Sequence, residues 1–382
     1  MREYLEINNF GPIEHVVLDD IKPVTIFIGE SGSGKSTIMK VLAILRWIYK
    51  MVNIRSYLKD YSGVPKSPFR FSFPTYLKLD GLDGYLRADT VVRYSRGACE
   101  MAYEHSKFKL IRQRIPREEL NLEKISFISE KRNLIPDAMA HDLSINRKAF
   151  YLNEVWNDYI LASNAITDLE MPFTNVRFQS VKSRQGGVKH LIKPIDNDSY
   201  AIELRTASSG IQSSTPIALI VEYFSKHYDQ IKSMNKSILS YLSEFEDISL
   251  FNSKMSISSF PNKRVNLFIE EPELCLYPDN QIKLVDFLVD RAFYSKTGDY
   301  DITLTMSTHS PFVVNYLNVL MLRGNSGLLG DNLSVYRVYE GNIQDLMMYD
   351  EQGNIKAVDT RDLSEAMSAI YQEYTQLKGL KG

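Results

Sequence analysis

Along this chain, short continuous apolar runs alternate with longer stretches of helical spacing. Four of the runs organise the rest: VTIFI (24–28), ISFI (125–128), VNLFI (265–269) and ITLTM (302–306). Runs of this length, bounded by polar residues, suit strands covered on both faces, which is how parallel sheets flanked by helices read in sequence. They end respectively in GESGSGKST, SEKRN, EEPE and STHSP. Open α/β sheets bind ligands at the carboxyl ends of their strands, so if the runs lie side by side these endings share one crevice.

The stretches between the runs differ in character. Residues 69–112 mix Tyr, Val and Thr with Gly and Asp turn signals, a pattern that predicts an antiparallel region. Residues 136–170 and 215–245 have helical spacing, with Pro216 expected in a first helical turn. VRFQSVKSRQGGVKHLIK (176–193) reads as a hairpin turning at Gly186-Gly187, and SKMSISSFPNKR (253–264) as a loop. The expected architecture is a discontinuous α/β lobe from residues 1–130 and 256–382, with a mainly helical lobe inserted at 131–255.

Composition narrows the class. With 382 residues, 44% apolar and 24% charged, the chain has room for one large core or two ordinary ones and is neither disordered nor fibrous. Lys+Arg 45 against Asp+Glu 47 leaves a net charge of −2, without the overall basic footprint of a nucleic-acid binder. Cys99 and Cys275 are too few for a disulfide framework and lack metal-ligand spacing, which favours a reducing compartment. No run is apolar enough to cross a bilayer, and MREYLEINNF lacks the apolar core of a signal peptide, so a cytoplasmic protein without membrane attachment is expected. ILRWIYKMV (44–52) reads as a core helix with one buried face.

The first ending carries the sharpest chemistry. Gly29, four residues, then Gly34-Lys35-Ser36 fits G-x-x-x-x-G-K-[ST], between an apolar run and a helical pattern. Gly29, Gly32 and Gly34 let the backbone N–H groups of Glu30, Ser31, Ser33 and Thr37 wrap phosphates, with the following helix N-terminus adding its dipole. Lys35 would neutralise the β- and γ-phosphates of ATP, and the Ser36 hydroxyl would ligate Mg²⁺.

VNLFIEEPE places Glu270 and Glu271 at the end of another run. Adjacent carboxylates beside an apolar environment repel unless a cation or donor uses them. Successive strand residues point to opposite sides, so Glu270 can hold Mg²⁺ while Glu271 orients and deprotonates the attacking water. Alternatively, a helix beginning at Pro272 would place both acids to suit its dipole. His309 ends the fourth run among Ser307, Thr308 and Ser310, a better placement for function than that of the other five histidines.

Taken together, these motifs resemble the ABC-type ATPases, in particular the compact branch with the OLD proteins and the ATPase subunits of bacterial anti-phage systems. GESGSGKST is similar to Walker A, LFIEEPELCLYP to Walker B and its following loop, STHSP to the switch-histidine loop, and TASSGIQSS (206–214) to the signature motif. The resemblance implies a P-loop core, ATP and Mg²⁺ as ligands, hydrolysis by Lys35, Glu271 and His309, and pairing of two copies. Ser208, Ser209 and Gly210 would then complete the partner's site. FISEKRN (127–133) resembles a strand-plus-Arg segment of this branch, making Arg132 a candidate near the phosphates or the interface, and Gln113 is one candidate for the Q-loop glutamine. The resemblance also implies a separate effector, a nuclease or toxin, because the residues after His309 lack the acidic constellation of a Toprim nuclease.

Three alternatives remain open on the residues. A DNA-associated repair-type ATPase would use the basic segments RSYLK, KFKLIRQRIPR and SVKSRQGGVKHLIK, though no long heptad stretch is present. A transporter motor fits the loose signature poorly. A small-molecule kinase would leave His309 and residues 206–214 without a role.

Overall fold

The computed structural model describes residues 1–61, 71–139, 150–182, 187–197, 199–243, 258, 260–323, 328 and 330–379. The chain opens with the hairpin β1 (Glu3–Phe10) and β2 (Ile13–Leu18), then passes through β3 (Val24–Ile28) into the long helix α1 (Lys35–Tyr61). Helix α2 (Phe73–Leu79) precedes β4 (Leu86–Arg96), β5 (Cys99–Glu104) and β6 (Lys107–Arg112), and β7 (Asn121–Ile128) follows. Next come α3 (Ile135–Met139), α4 (Phe150–Ala165), β8 (Asp168–Met171), β9 (Val176–Lys182), β10 (Val188–Pro194), β11 (Ile202–Glu203), α5 (Ser209–Lys226) and α6 (Gln230–Ser243). The last third holds β12 (Asn262–Glu270), α7 (Pro278–Val289), β13 (Asp301–Thr308), α8 (Pro311–Arg323), β14 (Leu333–Tyr339), β15 (Asn342–Asp345), β16 (Met347–Tyr349), β17 (Ile355–Val358) and α9 (Glu365–Gly379).

One 11-stranded sheet runs β6-β5-β4-β1-β2-β15-β14-β3-β13-β12-β7. The four apolar runs become β3, β13, β12 and β7, adjacent and parallel, with β14 parallel to β3 on the other side. Their ends are level: Ile28 pairs with Thr308, Ser307 with Glu270, and Ile269 with Ile128. The register therefore delivers the four polar endings to one rim, where an α/β sheet binds its ligands.

Both faces of this half are covered, which explains the unbroken runs. Ile26, Leu267 and Leu304 pack toward α4, α5, α7 and α8, whereas Phe27, Phe127 and Phe268 pack toward α1. Among the described residues of 131–255, Tyr159, Phe178 and Ile217 belong to the first of these clusters, while Met234 and Ile238 of α6 belong to the second.

Several local expectations change. The hairpin read at 176–193 forms β9 and β10, and β8 and β11 extend it to a four-stranded antiparallel sheet. The expected Gly186-Gly187 turn lies partly outside the described residues, as does most of the 253–264 loop, whose last three residues belong to β12. Residues 69–112 open with α2 before their three strands. Pro216 sits in the interior of α5, because that helix begins seven residues earlier at Ser209. The missing N–H there is accompanied by side-chain bonds to neighbouring carbonyls, from Ser214 to Gly210 (2.7 Å) and Thr215 to Ile211 (2.7 Å). Finally, α1 is buried round most of its circumference: Arg46 is 1% exposed and its guanidinium is taken up by the Glu3 carboxylate at 2.8 and 3.1 Å.

Candidate functional site

The loop from β3 to α1 is shaped by backbone that only glycine provides easily. Gly32 and Gly34 have φ of +80° and +106°, in the left-handed half of conformational space. A Cβ on Gly34 would lie 2.4 Å from Ile13 Cδ1, and one on Gly29 would lie 2.3 Å from the Val338 carbonyl. The loop is thus wedged between the β1–β2 hairpin and β14. Lys35 folds back beneath it, donating to the carbonyls of Gly29 (2.8 Å) and Glu30 (2.7 Å). Burial pulls the ammonium's pKa down, opposed by Glu271, Glu273 and Glu30. Glu30, Ser31 and Gly32 are exposed at the rim, Lys35 and Thr37 are buried, and Ser36 is half-buried.

Glu270 and Glu271 fall into opposite environments. Glu270 is the last residue of β12 and is 1% exposed, with Oε1 making no hydrogen bond and Lys40 Nζ 3.8 Å away. Burial, and next the neighbouring Glu130, push its pKa up to about 8, while Lys40 and the Ser36 hydroxyl pull the other way. Glu271 lies beyond the strand in a left-handed conformation (φ +45°), which costs a non-glycine residue about 1–3 kcal/mol. Its N–H donates to the Ser307 carbonyl at 2.9 Å. The strand alternation expected for the pair is replaced by a sharp turn of the chain at Glu271. No helix starts at Pro272; the next one, α7, begins at Pro278.

His309 closes the arrangement. Its N–H donates to Glu273 Oε1 (2.6 Å), its Nε2 lies 3.4 Å from Glu271 Oε1, and its Nδ1 lies 3.5 Å from Lys35 Nζ. Residues from β3, β12 and β13 therefore converge on one spot. Ser208 and Ser209 are placed elsewhere in the fold, exposed at the start of α5, and the Ser208 side chain makes no capping bond to that helix. Gly210 is buried against the loop after β12, where a Cβ would come 2.7 Å from the Cys275 carbonyl.

The structure also places the two remaining candidates of the sequence. Gln113 follows β6 at the far edge of the sheet and pairs with Arg55, with six strands between β6 and β3, on the opposite side from β7. Arg132 is 0% exposed and reaches this region by donating to the backbone carbonyls of Glu270 and Glu271. Conversely Glu130, inside FISEKRN but given no role there, lies directly after β7 with its N–H 3.4 Å from Glu270 Oε2 and its carboxyl beside that of Glu270. Only the pairing of β7 with β12 brings these two acids together.

The donor set at this rim is all oxygen: the unbonded Glu270 Oε1, the Glu130 carboxyl and the Ser36 hydroxyl. Such a set suits Mg²⁺, a hard cation that also keeps waters and phosphate oxygens. The residues present thus fit a nucleotide with its cation.

The AAA domain family matches residues 4–249. This chain belongs to the AAA domain family. Membership implies a nucleotide-binding chain, in keeping with the α/β core and the glycine loop. No curated protein matches it. Among solved structures it is similar to an SMC head domain from Thermotoga maritima, with 12% identity over 92% of this chain and 100% of that one, at a TM-score of 0.35. It is also similar to an Smc head domain with an extended coiled coil bound to the C-terminal domain of ScpA, derived from Pyrococcus furiosus, with 10% identity over 97% and 98% of the two chains and a TM-score of 0.38. No helix among the described residues is long and apolar enough to cross a membrane.

Proposed function

We propose that this protein is a Mg²⁺-dependent ATP hydrolase that works as a switch: two copies close head to tail on ATP, and hydrolysis reopens them. The observation that carries this reading is the convergence of Lys35, Glu271 and His309, from three separate strand ends, within 3.5 Å contacts. Lys35 exchanges its two loop carbonyls for phosphate oxygens. Ser36 and Glu270 hold the cation with Glu130 at its side, and the bound ion supplies charge neutralisation for the phosphates. Glu271, held at the rim by its left-handed backbone, orients the attacking water and takes its proton. His309 fixes the Glu271 carboxylate from one side and meets Lys35 on the other.

The exposed hydroxyls of Ser208 and Ser209, with the N-terminus of the 18-residue helix α5 behind them, present donors that suit the γ-phosphate of a partner copy. Closure then depends on ATP binding the paired state better than the open one. In line with the resemblance to anti-phage ATPases, the switched partner is a separate nuclease or toxin. The DNA-associated alternative gains Lys107 and Lys109, exposed on edge strand β6, but Arg112 and Arg114 in the same segment are paired with Glu100 and Asp60. That pairing lowers the local positive charge and favours the first reading.

The test is the mass in solution of the Glu271→Gln protein, by light scattering, with and without ATP·Mg²⁺, beside Lys35→Ala. An ATP-dependent increase that Lys35→Ala abolishes supports the switch. A mass that never responds to nucleotide overturns ATP-driven pairing.

A further inference from the structure

Arg132 is among the largest fully buried side chains, and all five of its N–H donors are used. Nε donates to the Ser213 carbonyl (3.0 Å), Nη1 to the carbonyls of Ser129 (3.1 Å) and Glu270 (2.6 Å), and Nη2 to the Ser213 hydroxyl (3.4 Å) and the Glu271 carbonyl (2.5 Å). None of these bonds goes to a carboxylate. Burial draws the guanidinium's pKa down to about 10 against the pull of Glu273, Glu271, Glu270 and Glu130. A buried cation whose bonds all go to backbone carbonyls and one hydroxyl is costly unless its geometry is needed.

Those acceptors come from three places: the end of β7, the turn after β12 and the second turn of α5. Four residues before Ser213 stands Ser209, the first residue of α5. Gly210 meets the Cys275 carbonyl, so α5 touches the 270–276 segment at two points, once directly and once through Arg132. The strained φ of Glu271 lies between them.

We infer that Arg132 is a positioning residue that locks the Glu270–Glu271 backbone to the start of α5, so that engagement of Ser208–Gly210 by a partner copy sets the Glu271 carboxylate of the same chain. The inference rests on the proposed roles of Glu271 and Ser208–Gly210. It gives each chain a rigid block that reports the arrival of the partner's nucleotide to its own hydrolytic group. A lysine at 132 could not replace the planar fork, because one ammonium cannot reach acceptors on three segments.

The experiment compares Arg132→Lys, Glu271→Gln and the double variant by ATP turnover and by fluorescent-nucleotide affinity. Arg132→Lys is expected to lower kcat about tenfold or more with nucleotide affinity unchanged, and to cost nothing further in the Glu271→Gln background, because residues acting as one unit are non-additive. Unchanged kcat in Arg132→Lys, or full additivity in the double variant, overturns the inference. If Glu271→Gln itself leaves turnover intact, the hydrolytic reading fails instead, a separable result. Because Arg132→Lys can fail to fold, hydrogen exchange on the unaltered protein provides a second arm: on adding ATP·Mg²⁺, peptides covering 205–214 and 268–275 are expected to gain protection together. Protection of one without the other overturns the coupling.

Discussion

Glu271 Oε1 and His309 Nε2 stand 3.4 Å apart, although 38 positions separate them in the sequence, because parallel pairing of β12 with β13 sets Glu270 opposite Ser307. The same imidazole reaches Lys35 at 3.5 Å, so it links the ammonium and the carboxylate proposed to bind phosphate and to drive hydrolysis. His309→Ala is expected to reduce kcat about a hundredfold, the size of a lost orienting or proton-handling group, with ATP affinity within a few-fold of the unaltered protein. Lys35→Ala should show the reverse pattern, losing affinity first. Steady-state turnover and nucleotide titration of both variants separate the two; a His309→Ala protein that loses binding and turnover in parallel would show that the ring belongs to the phosphate pocket alone.

Glu130 gives a prediction with opposite signs in two states. In the unliganded protein it stands beside the buried Glu270 and helps to raise that residue's pKa to about 8, so Glu130→Gln should leave the melting temperature unchanged or higher. With a cation bound, the same change removes an oxygen of full charge, and the apparent Mg²⁺ affinity should fall about tenfold. Melting curves with ADP, with and without Mg²⁺, read both effects at once. An unaltered Mg²⁺ increment would take Glu130 out of the cation's surroundings.

The contrast between Lys35 and Glu130 shows what the chain makes legible. Lys35 sits in a local motif whose spacing is itself the geometry, since phosphate wrapping needs those glycines within one turn of backbone. The four core strands are equally local, because burial on both faces demands unbroken apolar runs. Glu130 becomes significant only when β7 lies beside β12, because an acid after a strand otherwise looks like a solvated turn, and the acceptors of Arg132, a candidate by resemblance, come together only when α5 packs above it. The sheet of β8 to β11 was half-visible as one hairpin; β8 is only four residues long and its sequence also fits the end of a helix. Pro216 misled for a related reason, as its preference for first turns yields to the side-chain bonds that Ser214 and Thr215 make inside α5.

Gly210 offers a test of the α5 contact that leaves the site's charges untouched. A methyl group there would come 2.7 Å from the Cys275 carbonyl, closer than real Cβ atoms approach, and backbone must shift to admit it. Gly210→Ala is expected to destabilise the fold by about 1–3 kcal/mol, as overpacking does, and to abolish ATP-dependent pairing by moving Ser208 and Ser209. Urea unfolding gives the first number and light scattering in the Glu271→Gln background the second. Intact pairing despite the destabilisation would mean that the start of α5 does not meet a partner.

The last prediction concerns acid sensitivity and lies away from the nucleotide. His190 is buried between Tyr159 and Phe178, its Nδ1 2.7 Å from the Tyr159 hydroxyl, and burial lowers its pKa from 6.5 to about 4. Above pH 6.5 the imidazole is neutral in both the folded and the unfolded chain, so its titration contributes no slope. Between 6.5 and about 4 the unfolded chain binds a proton that the folded chain refuses, and stability falls as the pH is lowered, by up to about 3 kcal/mol across the window. Below about 4 both states are protonated and the loss levels off. His190→Asn keeps an acceptor for the tyrosine but cannot titrate, so its urea midpoint should decline less than that of the unaltered protein between pH 7 and pH 5. Parallel declines would place the acid sensitivity in the carboxylates, of which Glu3, held down to about 2 by Arg46 and Arg96 against its burial, titrates in a lower range.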